Sequence, residues 1–326
     1  MLRRTLVTRA AFLACLGTVA TTGARAQAYP NRPVRLVVPF ARGGPADLIT
    51  RIVADKVAVA FGQPMLVENN PGAGGSVGAT ETARSTADGY SLGVATVSTT
   101  AANPAINPKI AYDPINDFTP IVNMAATPYV LAVHPSFPAR DFKGFLAELK
   151  RNPGKYSFAS AGNGTSIHLL MELFKNLSGT FVTHIPYRGS GPAVQDTAAG
   201  QVPIILDGLP STLPFVKSGQ LVAIVVAAPA RLATLPNVPT FKEMGFEPMN
   251  RTGYYGIYGP RGLPREVVDK VNAAVRKTLE DPGVRKRIED IGAFVVGGTP
   301  EQLAEQIRAE FLAFKRVVAE QKLSLE

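Results

Sequence analysis

Thiol and imidazole side chains are scarce in this sequence. Its only cysteine, Cys15, lies near the N-terminus, and its three histidines, His134, His168 and His184, form no H-x-x-x-H pair. This scarcity excludes a disulfide framework and a Cys-based metal site, and it leaves no thiolate nucleophile after Cys15. We therefore expect no metal ion and no cofactor.

Nucleotide-binding motifs are also missing. Gly72, Gly74 and Gly78 lack the G-x-G-x-x-G spacing, because Val77 stands where the third glycine should be. No G-x-x-x-x-G-K sequence occurs anywhere in the chain. These absences disfavour a nucleotide as cofactor or ligand.

The first 26 residues have the features of a secretory signal peptide. A basic start precedes an apolar segment at residues 10–20, and Ala24-Arg25-Ala26 then supplies an A-x-A cleavage site. The apolar segment is shorter than the roughly 20 residues that span a bilayer. We expect export to the periplasm with cleavage near Ala26, and Arg3-Arg4 leaves both the Sec and the twin-arginine routes open.

Removal of the signal peptide takes away four arginines and no acidic residue, so the net charge falls from +9 to +5. That mild basicity favours small anionic partners and is too diffuse to indicate nucleic acid. The remaining chain is long and apolar enough to bury a sizeable core and to form two lobes.

Strand-like and helix-like segments alternate along the chain, which predicts an α/β fold with mainly parallel sheets. Residues 118–126 and 129–134 are predicted as two strands separated by Thr127-Pro128, because proline disfavours a strand interior. Asp47 is predicted to cap the helix that follows the first strand. Thr299 and Gln302 predict a capping box for the last helix.

The segment Ser160–Leu169 is the most informative stretch. Gly162 and Gly164 expose the backbone between a strand and a helix, and Ser160 and Thr165 add hydroxyl groups. A glycine-rich turn at a helix start offers unpaired N–H groups to an anion. The alternative is an ordinary turn in which Thr165 or Ser166 caps the helix.

Several other strand ends open into loops of Gly, Ser, Thr, Asn or Pro. In open α/β sheets such strand ends face the ligand crevice. A crevice rich in N–H and hydroxyl donors and poor in bases and metals binds a solute and does not transform it. Arg188 and Asp207 also lie at strand ends. Arg188 could clamp a carboxylate or be a solvated surface charge. Asp207 could contact a polar group of the ligand or cap the helix that follows.

Five motifs resemble one family. They are VPFARGGPAD (38–47), VENNPGAGG (67–75), YDPINDFTPI (112–121), SFASAGNGT (157–165) followed by His168, and HIPYRG (184–189). Together they resemble the substrate receptors of tripartite tricarboxylate transporters, also called Bug proteins, from about Pro33 to the C-terminus.

The resemblance implies a two-lobed, type II periplasmic-binding-protein fold of the Venus flytrap kind. Residues 27–125 and 253–326 would form the first lobe and residues 126–252 the second, with the ligand between them. It implies a monomeric, non-enzymatic receptor that captures a small organic anion, mostly a carboxylate, and delivers it to membrane permease subunits. A sensor for a signalling partner, or a secreted hydrolase using His168 with Ser166 or Asp207, are the alternatives.

The resemblance also implies the contact residues. These are Phe40, Gly43, Gly44, Asp47, Thr96 and Ser98 in the first lobe, and Ser160, Gly162, Gly164, Thr165, His168, Tyr187 and Asp207 in the second. Two positions depart from the family pattern: Arg42 replaces a small residue or proline, and Gly208 stands where Asn is common. We expect Arg42 either to contact a second acidic group of a dianionic ligand or to lie on the solvent-exposed rim.

Overall fold

The computed structural model describes residues 29–325, and the signal peptide predicted for residues 1–26 lies outside that range. Strands and helices alternate along the described chain. The strands are β1 (Val34–Val38), β2 (Met65–Asn69), β3 (Ser91–Thr96), β4 (Phe118–Val133), β5 (Ser157–Ser160), β6 (Thr183–Pro186), β7 (Ile204–Gly208), β8 (Val222–Ala227), β9 (Thr252–Pro260) and β10 (Phe294–Gly297). The α-helices are α1 (Pro45–Phe61), α2 (Ser76–Ala83), α3 (Asn103–Ile106), α4 (Phe142–Arg151), α5 (Ser166–Ser178), α6 (Ser190–Ala198), α7 (Leu209–Lys217), α8 (Arg265–Glu280), α9 (Pro282–Asp290) and α10 (Pro300–Glu320).

The strands form one mixed sheet. Its order is β2-β1-β3-β9-β4-β7-β5-β6, with β8 and β10 also paired to β4. The pairs β1/β2, β1/β3, β5/β6 and β5/β7 are parallel, and every pair that involves β4 or β9 is antiparallel. The α/β class is confirmed, but "mainly parallel" is wrong. The chain crosses between the two parallel groups on β4 and returns on β9, so these strands oppose each other and their neighbours.

Strand β4 joins the two halves of the sheet. It pairs with β9 as far as Pro128, opposite Thr252, and with β7 and β8 from Tyr129 onward. The prediction of two strands separated by Thr127-Pro128 is wrong, because β4 is continuous. Proline has no N–H to donate, and here it stands where the strand exchanges one set of partners for another.

We call β1, β2, β3, β9, β10 and β4 up to Pro128 the first half of the sheet. The second half consists of β5 to β8 and β4 from Tyr129. In the second half, the β4 and β8 side chains Leu131 and Val225 pack with Phe145 of α4 and Phe174 of α5, all buried. None of the described helices combines the length and apolar composition needed to cross a membrane.

Two helix starts follow the predicted capping signals. Thr165 caps α5 by accepting a hydrogen bond from the His168 N–H, and Thr299 with Gln302 forms the predicted box on α10. The prediction that Asp47 caps α1 is wrong. Pro45 occupies the first helical position, where its missing N–H is not needed, and Gly44 is therefore the N-cap.

Candidate functional site

A small cavity lies between the two halves of the sheet. Its volume is about 30 Å³, room for about one or two water molecules. Pockets for small organic ligands span roughly 300–1,000 Å³, so such a solute enters only when the walls separate. The lining residues come from both halves: Phe40, Gly44, Pro45, Ala46, Thr96, Val97, Ser98, Tyr129, Ala161, Ser166, Ile167, Ser190, Gly253, Tyr254 and Tyr255.

Three helices begin at this cavity. Pro45, Ser166 and Ser190, the first residues of α1, α5 and α6, all line it. The first N–H groups of a helix have no partner within the helix, and the helix dipole is positive at that end. The converging starts therefore offer hydrogen-bond donors and positive potential to an anion.

A chain of hydroxyl groups crosses from one half to the other. Ser98 follows β3, and its Oγ accepts a hydrogen bond from the Ser166 N–H at 3.1 Å. The two serine hydroxyls are also 3.1 Å apart, and the Ser166 hydroxyl is 3.1 Å from the Tyr129 hydroxyl. Hydroxyls can donate or accept, so this chain can reorient toward a ligand oxygen.

No charged side chain lines the cavity within the described part of the chain. Its tyrosines stay protonated, because burial raises the pKa of Tyr129, Tyr254 and Tyr255 well above the usual value. Their hydroxyls remain available as neutral donors. The cavity thus combines neutral donors with helix dipoles and contains no Arg or Lys clamp.

The two halves meet backbone to backbone at the edge of the cavity. The Ala41 N–H donates to the Arg188 carbonyl at 3.1 Å. Gly191, near the start of α6, lies so close to the loop after β1 that a Cβ atom there would be 2.0 Å from the Arg42 carbonyl oxygen. Contact between the halves at this point requires a residue without a side chain.

Asp47 supports the loop after β1 from beneath. Its carboxylate accepts hydrogen bonds from the Gly43 N–H at 3.1 Å, from Arg51 at 2.9 Å and from Asn69 at 2.9 Å. Burial acts to raise the pKa of Asp47, but these bonds outweigh it and leave the pKa below its usual value. The side chain is fully engaged within the protein and shapes the loop that lines the cavity.

His168 and His184 form a stacked pair behind the loop that precedes α5. Their ring centroids are 4.0 Å apart, and His168 Nδ1 accepts from the Gly164 N–H at 3.2 Å. The Ser160 hydroxyl lies 2.6 Å from His184 Nε2. Burial lowers the pKa of both rings, that of His184 to about 3, so both are neutral at ordinary pH. The pair holds the loop in place.

The predicted contact residues occupy three positions. Phe40, Gly44, Thr96 and Ser98 line the cavity. Five others are buried and do not line this cavity: Asp47, Ser160, Thr165, His168 and Asp207. Gly162 and Tyr187 line a neighbouring cavity of about 380 Å³, and Gly164 packs beside Asn103. Gly43 and Arg42 are exposed on the rim. Whether each contacts a ligand stays a prediction.

Replacing Arg42 with alanine is expected to change the affinity for mono- and dicarboxylates by less than about fivefold, because exposed charges contribute only roughly 0–1 kcal/mol. The Arg42 side chain is exposed and does not line the cavity. Isothermal titration of the wild type and the variant provides the measurement. A selective loss of dicarboxylate binding would instead place Arg42 in the ligand site.

Five lining residues that carry a side-chain hydroxyl were not among the predicted contacts. They are Tyr129, Ser166, Ser190, Tyr254 and Tyr255. The tyrosines lie within apolar strand segments, where tyrosine is typical of core packing. Ser166 and Ser190 each begin a helix after a glycine turn, and this position was the signal that could have identified them.

The hydroxyls of Ser166 and Ser76 lack the partner that nucleophilic catalysis needs. Ser166 Oγ is bonded to Ser98 and Tyr129, and His168 presents its Nδ1 to the Gly164 N–H. Ser76, in the G-x-S-x-G-like segment 74–78, donates to the Ala73 carbonyl at 2.9 Å. A serine nucleophile requires a base within hydrogen-bond reach, and none of these hydroxyls has one among its bonds in the described chain.

Known proteins match both the sequence and the fold. The sequence model of the tripartite tricarboxylate transporter family receptors matches residues 49–323. A solved periplasmic transporter is 48% identical, with a TM-score of 0.90, over 92% of this chain and 100% of its own. MatC from Rhodopseudomonas palustris, solved with bound malate, is 35% identical, with a TM-score of 0.86, over 89% and 100%. Another R. palustris protein, solved with adipate, is 30% identical, with a TM-score of 0.87, over 91% and 99%.

These likenesses extend over nearly all the described chain. They confirm the family expected from the sequence and the periplasmic-binding-protein type of the fold. The chain belongs to the tripartite tricarboxylate transporter receptor family.

Proposed function

We propose that this protein captures a small organic carboxylate outside the cytoplasmic membrane and delivers it to the membrane subunits of a tripartite transporter. The observation that carries the proposal is the convergence of three helix starts and a hydroxyl chain on a cavity without charged side chains. Relatives of similar fold bind malate or adipate, which supports a carboxylate as the ligand class.

Capture works through neutral donors. The carboxylate oxygens accept hydrogen bonds from N–H groups in the first turns of α1, α5 and α6, other than that of Ser166, and from hydroxyls such as those of Ser98 and Tyr129. Each donor is fixed by the fold before the ligand arrives, so little order is lost on binding. Specificity then comes from the spacing of the donors and the volume between them.

Two lobes would close on the ligand, with residues 27–125 and 253–326 in one and residues 126–252 in the other. The partner exchange of β4 at Pro128, opposite Thr252 of β9, supports these boundaries, because only two strands cross there. We propose a monomer exported by the N-terminal signal peptide. The ligand leaves unchanged, because the Ser166 hydroxyl in the cavity bonds to Ser98 and Tyr129 and not to a base.

A panel of carboxylates tests this function. Purified mature protein is titrated with acetate, succinate, malate, adipate and citrate, first by thermal shift and then by calorimetry. An acid at about 100 times its Kd adds about 2.7 kcal/mol, which raises Tm by several degrees. We expect one-to-one binding of at least one acid, with the acid recovered intact.

The fully esterified methyl esters of the same acids are the matched control, because they keep the carbon skeleton and lose the charge. Esters that bind as tightly as the acids, or acids that are consumed during incubation, would contradict the proposal. If the wild type consumed an ester or acid and the His168→Ala variant did not, the protein would be a hydrolase.

A further inference from the structure

Asp207 is a buried carboxylate directly behind the cavity wall. It lies near the end of β7, and its carboxylate accepts hydrogen bonds from the Ser190 hydroxyl at 2.6 Å and the Ser211 hydroxyl at 2.7 Å. Ser190 itself lines the cavity. No charged side chain of residues 29–325 contributes to the electrostatics of Asp207. A buried carboxylate without a cation is unusual, and here it stands beside a site for anions.

Ser190 has one proton to donate. While Asp207 is ionised, that proton is held by the carboxylate, and the serine turns only lone pairs toward the cavity. A protonated Asp207 donates to Ser190 Oγ instead, which frees the serine O–H to donate to a ligand oxygen. The protonation of Asp207 therefore decides whether Ser190 repels or binds an anion.

The other groups facing Asp207 do not titrate near neutral pH. Tyr129 of β4 and Tyr255 of β9 interact with it electrostatically, and burial holds the pKa of each far above its usual value. Ser211 of α7 and the Gly208 N–H complete its surroundings. Burial raises the pKa of Asp207 itself to about 6, against the opposing effect of its hydroxyl partners. A second negative charge nearby in a low-dielectric site would raise it further.

We propose that capture of an anion is coupled to the uptake of one proton by Asp207, with Ser190 reversing its hydrogen bond from the carboxylate to the ligand. This inference rests on the function proposed above. The proton comes from the solvent, so the buffer becomes more basic by up to one proton for each ligand bound. No bond in the ligand is made or broken.

Calorimetry in buffers of different ionisation enthalpy measures the protons taken up per ligand. The probe is succinate, or the panel acid that raises Tm most, between pH 6.5 and 8.5. We expect uptake approaching one proton per ligand near neutral pH. We also expect Kd to rise about tenfold per pH unit between the pKa of Asp207 in the free protein and its higher pKa in the complex.

The variant Asp207→Asn keeps a donor toward Ser190 and an acceptor toward Ser211 but cannot titrate. We expect it to bind without proton uptake and with a pH-independent Kd. Asp290→Asn, at an exposed carboxylate on α9, is the matched control and should behave as the wild type. The wild-type measurement remains decisive if Asp207→Asn does not fold.

Each outcome bears on the inference. Wild-type binding without buffer-dependent heat overturns proton coupling and leaves the receptor function standing. Uptake that persists in Asp207→Asn assigns the proton to another group and also overturns it. A protein that binds none of the acids contradicts the receptor function and this inference together.

Discussion

Replacing Gly191 with alanine is expected to weaken ligand binding by at least about 100-fold, or about 2.7 kcal/mol, without unfolding the protein. The added Cβ would lie 2.0 Å from the Arg42 carbonyl oxygen and 3.1 Å from its carbon. Both are backbone atoms that cannot swing aside. The two halves would therefore stop short of contact, and the donors on α1 and α6 could not reach one ligand together.

Gly191→Ala should not disturb the folding of either half of the sheet. Gly191 is in α6, where alanine is favoured over glycine by roughly 0.5–1 kcal/mol. Calorimetry gives the affinity, and small-angle X-ray scattering with saturating ligand shows whether the particle contracts. Gly144→Ala in α4 is the control, since its Cβ would meet no atom closer than 3.3 Å. Wild-type affinity in Gly191→Ala would show that contact at this point is unnecessary for capture.

Replacing Asp47 with alanine is expected to destabilise the protein by about 3 kcal/mol, because two donors beneath the loop lose their acceptor. The Gly43 N–H loses its bond, and the Asn69 amide keeps only the Phe40 carbonyl. Arg51 is partly exposed and can return to water. Urea unfolding of the two proteins measures the difference in the free energy of unfolding.

Acid should reduce this difference. The lowered pKa of Asp47 stabilises the fold above its unfolded-state pKa, near 3.8, and this contribution disappears as the pH falls through the folded-state value. Asp55→Ala on the exposed face of the same helix is the control, with an expected change within about 0.5 kcal/mol. A loss in Asp47→Ala equal to that in the control would show that the loop does not depend on this carboxylate.

Local signals in the sequence were enough to predict the helix starts and most strands. Glycine and hydroxyl residues before periodic apolar residues identified the turn at Gly162–Thr165 and the start of α5, because these features depend on neighbouring residues only. The same logic predicted that such turns would share one crevice. Asp47 was wrongly predicted to be the N-cap of α1. The helix begins at Pro45, so the N-cap is the residue before it, Gly44.

Contacts between distant segments could not be predicted from local patterns. Pro128 was interpreted as a break between two strands. Whether its missing N–H interrupts a strand depends on the neighbouring strands, and these come from residues far along the chain. Tyr129 and Tyr254 were not predicted as part of the site for the same reason. The stacking of His168 on His184 joins a helix to a strand, and no spacing in the sequence indicates it.

The absence of charged side chains from the lining of the cavity, within the described residues, has a consequence for the medium in which the receptor works. Dissolved salt weakens attraction between exposed charges over a Debye length of about 8 Å at physiological ionic strength, but it acts much less on buried groups. The donors here are amide and hydroxyl dipoles enclosed between the two halves of the sheet. At a given pH, changes in external salinity should therefore leave the occupancy of the receptor almost unchanged.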